Sequence, residues 1–215
     1  MNVFRLVKSA LWQALILMSI GLSCSGVHAQ TFQVTVDTSS LNGVTGFLDL
    51  QFNPGDITAL AASADVQNFS GSISLLGPAT FDGSVTGSLP STVSLLNDTP
   101  FNDYFQSVTF GDVFSFLVQF QSDTSNPSNP VATSFALSLY AMDGFTPLLT
   151  VDDSGSLARF EVAASGISFQ TFAVSQGGSP VTAVAPVPLP GAAGLLVSGL
   201  LALRGIRRRR IAQSS

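Results

Sequence analysis

Along much of this chain apolar residues fall on every second position, a period that limits the fold more than any other feature. Phe114, Phe116, Val118 and Phe120 share one parity, and so do Phe135, Leu137 and Leu139. Phe32, Val34 and Val36 alternate with Thr31, Gln33 and Thr35, while Leu48, Leu50 and Phe52 alternate with Phe47, Asp49 and Gln51. Successive side chains of an extended strand point to opposite faces, so this period describes a strand with one apolar face. Further strands are expected over 57–66, 69–76, 81–86, 101–110, 157–163 and 167–174. Turn formers punctuate them: Asn53-Pro54-Gly55-Asp56, Gly77-Pro78, Asn126-Pro127-Ser128-Asn129-Pro130 and Asp152-Asp153-Ser154-Gly155. Many short strands separated in this way predict an all-β domain, an antiparallel β-sandwich of jelly-roll-like type.

An internal echo accompanies the strands. Phe69-Ser70-Gly71-Ser72-Ile73-Ser74 recurs twelve residues on as Phe81-Asp82-Gly83-Ser84-Val85-Thr86. Two copies are too few for a solenoid, so they are expected to be adjacent, similar strands of one sheet.

The two ends of the chain have a different character. Arg5 and Lys8 precede an apolar run from Leu11 to Leu22, followed by Gly26-Val27-His28-Ala29. Basic, apolar and small-residue zones in that order describe a secretory signal peptide over 1–29, with cleavage between Ala29 and Gln30. An uncleaved anchor is the alternative, but the run is shorter than the ~20 residues a bilayer requires. A lipoprotein site at Cys24 fits less well, because Gly21-Leu22-Ser23 lacks a leucine three positions before the cysteine.

At the other end the proline pair Pro188 and Pro190 precedes the apolar run from Gly191 to Leu203, and an arginine cluster follows at Arg204, Arg207, Arg208, Arg209 and Arg210. As a helix the run measures roughly 20 Å, against a hydrocarbon core of about 30 Å. It therefore crosses only with help from Val187 and Leu189, from snorkelling arginines and from local thinning. The arginines stay cytoplasmic and leave the preceding domain outside. Gly194 and Ser198, four apart, provide a face small enough for close approach by another membrane helix. Residues 177–186 are small and polar and read as a linker, which leaves 30–176 as the exported domain.

Pro-x-Pro, a short apolar helix and a terminal arginine cluster together resemble the PEP-CTERM sorting signal of Gram-negative bacteria that make extracellular polysaccharide. Leu189 stands where the family's usual residue is glutamate. The resemblance implies recognition of Val187, Pro188, Leu189 and Pro190 by an exosortase, a membrane processing enzyme, after transient insertion in the inner membrane. It also implies a final location at the cell surface or in the extracellular matrix. The alternative is a plain tail anchor with juxtamembrane arginines. In addition, the stretch from Val36-Asp37-Thr38 to Asn53-Pro54-Gly55 is similar to the start of an uncharacterised PEP-CTERM family, which brings no catalytic residues with it.

Charge and composition narrow the function further. Residues 30–185 hold all thirteen acidic residues and one basic residue, Arg159, a formal −12. Such a surface repels nucleic acid and anionic lipid, so no nucleic-acid partner is expected. The single cysteine, Cys24, and the single histidine, His28, both precede the expected cleavage point. The exported domain therefore has neither a disulfide framework nor the histidine of Ser-His-Asp or Cys-His catalysis, and no cofactor or metal is expected.

Four minor possibilities remain. Asp152, Asp153 and Ser154-Gly155-Ser156 offer oxygens to Ca²⁺, but their spacing fits neither an EF-hand nor a calcium-binding repeat, and an acidic turn is the simpler reading. A glycosidase needs two facing carboxylates, whereas this domain has one glutamate, Glu161, and aspartates mostly at expected turns. Tyr104 and Tyr140 suit either sugar stacking or core packing. Asn68-Phe69-Ser70 matches a glycosylation acceptor and reads as a strand start. The expected function is thus that of an exported, non-enzymatic surface or matrix protein, structural or adhesive in exopolysaccharide or biofilm. The alternatives are a carbohydrate-binding module contacting extracellular polysaccharide and a polysaccharide-active enzyme.

Overall fold

The computed structural model describes residues 27–126, 128–174 and 180–184. Among them the chain is all-β, with one short 3-10 turn at Ser39–Leu41. Its strands are β1 (Val27–Asp37), β2 (Thr45–Pro54), β3 (Ala62–Gly71), β4 (Ser74–Leu75), β5 (Thr80–Asp82), β6 (Val85–Gly87), β7 (Val93–Leu96), β8 (Asp103–Thr109), β9 (Val113–Asp123), β10 (Thr133–Ala141), β11 (Ser156–Ala163), β12 (Gly166–Thr171) and β13 (Val181–Val184). They form two antiparallel sheets. The first has the order β13-β1-β9-β3-β7-β6, and the second β12-β11-β10-β2-β8-β4, with β5 also paired to β8.

The apolar parity of the long strands becomes the core. Val36, Leu48, Leu50, Phe52, Val66, Phe114, Val118, Phe120, Phe135 and Leu139 have no exposed surface. Phenylalanines of the two sheets meet directly. Phe32 of β1 lies 5.0 Å from Phe160 of β11, and Phe120 of β9 lies 6.2, 5.5 and 5.2 Å from Phe52, Phe135 and Phe160 of the second sheet. Offset and edge-on rings at such separations add to the stabilisation from burial alone.

Several boundaries differ from expectation. Residues 57–60 precede β3 rather than opening it, and Ile57 is 98 % exposed. Asn68 is an interior bulge position of β3, between Gln67 and Ser70, and not a strand start. Its φ of +53° is in the left-handed region that asparagine tolerates. β7 lies where no strand was expected. So does β13, within the expected linker 177–186, where it pairs with β1 in the register Gln33↔Val184 to Val36↔Val181 and buries Val181. Valine at either end of four residues, among small polar neighbours, gives too short a pattern to read.

The echo does not form neighbouring strands of one sheet. Phe69-Ser70-Gly71 ends β3 in the first sheet and Ser74 begins β4 in the second, whereas Phe81-Asp82 ends β5 in the second and Val85-Thr86 begins β6 in the first. Each copy is therefore a crossing between sheets, in opposite directions. Gly71 and Gly83, with φ of +132° and +68°, mark the two departures. A Cβ at either would fall within 2.3 Å of a backbone oxygen, Val113 O or Phe101 O, so close passage of the chain requires glycine at both.

The expected cleavage point, Ala29 and Gln30, lies inside β1, whose first residues Val27, His28 and Ala29 pair with Asp123, Ser122 and Gln121 of β9. The sorting residues Val187, Pro188, Leu189, Pro190, Gly194, Ser198, Arg204, Arg207, Arg208, Arg209 and Arg210 lie outside the described residues. Among the described residues no helix is long and apolar enough to cross a membrane, which says nothing of β-barrels.

Candidate functional site

The outward face of the second sheet gathers most of the polar chemistry of the domain. Small residues of β10 form its centre line, and register flanks each with longer ones. Ser134 lies between Asn53 of β2 and Glu161 of β11, Ala136 between Gln51 and Arg159, and Ser138 between Asp49 and Ser156. A strand with short side chains between two with long ones makes a trough along the strand. This one has a volume of about 320 Å³ and is completed by Ser154. At roughly 3.4 Å per residue, Ser134 to Ser138 spans about 14 Å.

The trough's rim is held by hydrogen bonds. Gln51 Nε2 donates to Asp49 Oδ2 at 2.8 Å, and Asn53 Nδ2 donates to Gln51 Oε1 at 3.2 Å. On the other side Arg159 donates to Asp152 Oδ2 at 3.2 Å, to Ser154 Oγ at 2.8 Å and to Ser156 Oγ at 3.0 Å, with its guanidinium 5.2 Å from the Phe172 ring. The Ser154 hydroxyl, then Arg159, holds the Asp152 carboxyl below the ordinary carboxylate value. Of the oxygens considered above for Ca²⁺, those of Asp152, Ser154 and Ser156 thus accept from a guanidinium. Among the described residues no three His, Cys, Asp or Glu side chains gather to hold a metal.

Beyond Ser138 the same face turns aromatic. Phe47 stacks on Phe105 at 4.5 Å, and Phe105 meets Tyr140 at 6.3 Å. These rings border Asp49, which is only 2 % exposed although it points away from the core. Asp49 faces Phe105 across the β2–β8 ladder, and Asp103 faces Gln51, so the two aspartates are diagonal neighbours on one face. Oδ1 of each is buried without a hydrogen-bond partner. Burial, then Asp103, pushes the Asp49 carboxyl up to about 9, and burial raises Asp103 as well. Two carboxyls so close, one of them nearly sealed from water, disfavour each other's ionisation.

Sequence reasoning missed this pair. It placed Asp49 on a polar, outward parity, which is correct, but the rings that bury it come from three different strands. Tyr104 is wholly buried, accepts from the Leu89 N–H at 3.0 Å and donates to Gln106 Oε1 at 3.1 Å, so it is a core residue and not a sugar platform. Tyr140 remains half-buried at the aromatic end of the trough. Glu161 forms part of the trough wall, well separated in register from Asp49.

A wider depression of about 490 Å³ lies between 54–61 and 97–100. Its Asp56 is engaged in a turn, accepting from the Thr58 N–H and hydroxyl at 2.6 Å each. No protein-family model, curated protein or solved structure matches this chain.

Proposed function

We propose that this protein is exported, sorted and processed by an exosortase through Val187–Arg210, and acts without catalysis at the cell surface or in the extracellular polysaccharide matrix as a structural or adhesive component. The order proline pair, short apolar run and arginine cluster carries this reading. The domain is read as a jelly-roll-like β-sandwich. A core of meeting phenylalanines with no cysteine suits a folded body that must persist outside the cell without disulfides. Burial of Asp49 supports the non-enzymatic reading, because neither depression described above is lined by the carboxyl pair. Mass spectrometry of the mature C-terminus in the native host tests the reading. Truncation near Pro188-Leu189-Pro190 is expected, and its loss when Arg207–Arg210 are replaced by serine. Mature protein that keeps its whole tail overturns it.

The trough favours a second reading, that the domain contacts a neutral polysaccharide. Amides, hydroxyls, a guanidinium and a carboxylate line it, and a half-buried tyrosine stands at one end. These groups exchange hydrogen bonds with sugar hydroxyls, and the surrounding negative charge disfavours anionic chains. Ala136→Trp would fill the floor. Binding to neutral polysaccharide that Ala136→Trp abolishes, with folding unchanged, supports this reading, and absence of binding by the natural chain removes it.

A further inference from the structure

We propose that Asp49 and Asp103 form one proton-sharing clasp, which holds the outer face of β2 to β8 in acidic and neutral surroundings and weakens as the medium turns alkaline. The geometry is that of a pair built to hold something between its members. The two carboxyls are diagonal neighbours on adjacent strands, each has a buried Oδ1 without a partner, and Asp49 is nearly sealed from solvent. Its other oxygen is already satisfied by Gln51 at 2.8 Å. A single proton between the carboxyls turns two opposed acceptors into a donor and an acceptor.

Among the described residues no counter-charge faces the pair. Asp82 of β5 stands opposite Asp103, and Phe105 and Ser138 stand opposite Asp49 from the two flanking strands. Tyr140 of β10 is close enough to feel the charge of Asp49 and Asp103, and of Asp152 in the loop after β10. Arg159, the one Lys or Arg between residues 30 and 184, is committed to Asp152, Ser154 and Ser156. Each charged neighbour of the pair is therefore acidic, and each favours keeping the proton.

The direction of the pH effect follows from proton counting. Asp49 has an ordinary value of 3.8 in the unfolded chain and is raised to about 9 in the folded one. Between those values the folded state holds the extra proton, so stability is greatest below the lower value and is lost as pH rises through the upper. The lowered aspartates Asp37, Asp56, Asp143 and Asp152 act below the ordinary value and leave this window clear.

The test is thermal melting of the full-length chain in mild detergent from pH 5 to pH 10, beside Asp49→Asn and Asp103→Asn. Asparagine keeps a donor in place of the protonated acid and cannot ionise. The natural chain is expected to lose about 5 °C or more across this range relative to Asp49→Asn, a comparison in which every other group is shared. Infrared spectra of the natural chain provide a measurement that needs no variant: a protonated carboxyl band present at pH 7 and gone at pH 10. Parallel melts of natural chain and variants overturn the proposal, as does absence of that band at pH 7. So does added Ca²⁺ that removes the alkaline loss, since the clasp would then hold a cation.

Discussion

Arg159 donates to Oδ2 of Asp152 at 3.2 Å from the adjoining strand and thereby ties the β10–β11 loop to the second sheet. The same guanidinium reaches the hydroxyls of Ser154 in that loop and Ser156 at the start of β11 and lies over Phe172, so one side chain organises the end of the trough.

Arg159→Met is expected to cost about 1 to 2 kcal/mol, the combined scale of a partly exposed ion pair and one cation–π contact. Arg159→Lys should recover less than half, because an ammonium cannot hold three acceptors and an aromatic face together. Denaturant titration of the three chains measures both. The lowered carboxyl of Asp152 sets the pH behaviour. Its contribution is present above the ordinary value of 3.8 and lost as pH falls through its folded value, so in strong acid the gap between the three chains should narrow to the part owed to Phe172 and the serine hydroxyls.

Asn102 is wholly buried beside the start of β8 and acts as a junction between loops. Its Nδ2 donates to the Phe52 and Thr99 carbonyls at 2.9 Å each, its Oδ1 accepts from the Ser84 N–H at 2.8 Å, and its own N–H donates to Asn53 Oδ1 at 2.7 Å. Asn102→Leu keeps approximate volume and orphans three backbone groups, with an expected loss of about 3 kcal/mol. Asn102→Asp should be comparably damaging, because it exchanges two donations for repulsion. Equilibrium unfolding near neutral pH checks both, and a loss under about 0.5 kcal/mol would show that water replaces the junction.

How far the sequence discloses this architecture depends on whether a feature lies within one strand or between several. Phe114, Phe116, Val118 and Phe120 announce β9 because their alternation is local. The long strands, their inward faces and the all-β class follow in the same way. The trough does not, since Ser134, Ala136 and Ser138 look unremarkable until register places Asn53, Gln51, Glu161 and Arg159 beside them. Asp49 is a sharper case. Its parity correctly sends it outward, and only Phe47, Phe105 and Tyr140, distant in sequence, explain why an outward carboxyl is dry. The echo misleads for a related reason: similar hexapeptides share a local shape, a glycine departure, without sharing a sheet.

That shared shape separates two glycines of similar backbone conformation. Gly83 has φ +68° and Gly77 φ +64°, yet a Cβ at Gly83 would fall 2.0 Å from Phe101 O, while one at Gly77 meets nothing within 4 Å. Gly77→Ala should therefore cost only the left-handed backbone strain, about 1 kcal/mol. Gly83→Ala adds a clash with backbone that cannot swing aside and should exceed about 3 kcal/mol. Paired melts of the two variants isolate the steric part, and equal losses would mean that the 83–101 contact relaxes freely.

The last prediction concerns the start of β1. Cleavage before Gln30 removes Val27, His28 and Ala29, and with them the partners of Asp123, Ser122 and Gln121. β9 keeps its other neighbour there, because Ala62 and Ser63 of β3 pair with Ser122 and Gln121, and the Asp123 N–H donates to Ala61 O at 2.9 Å. The inward residues Phe32, Val34 and Val36 all follow Gln30 and stay in place when the chain is shortened there. A chain beginning at Gln30 should keep the fold and lose about 1 to 2 kcal/mol relative to one beginning at Val27, on the scale of a few backbone hydrogen bonds. Hydrogen exchange should show faster exchange at the Ser122 amide, while Asp123, whose N–H donates to Ala61 O, stays protected. Unfolding of the shorter chain would instead place the natural cleavage point upstream of Val27.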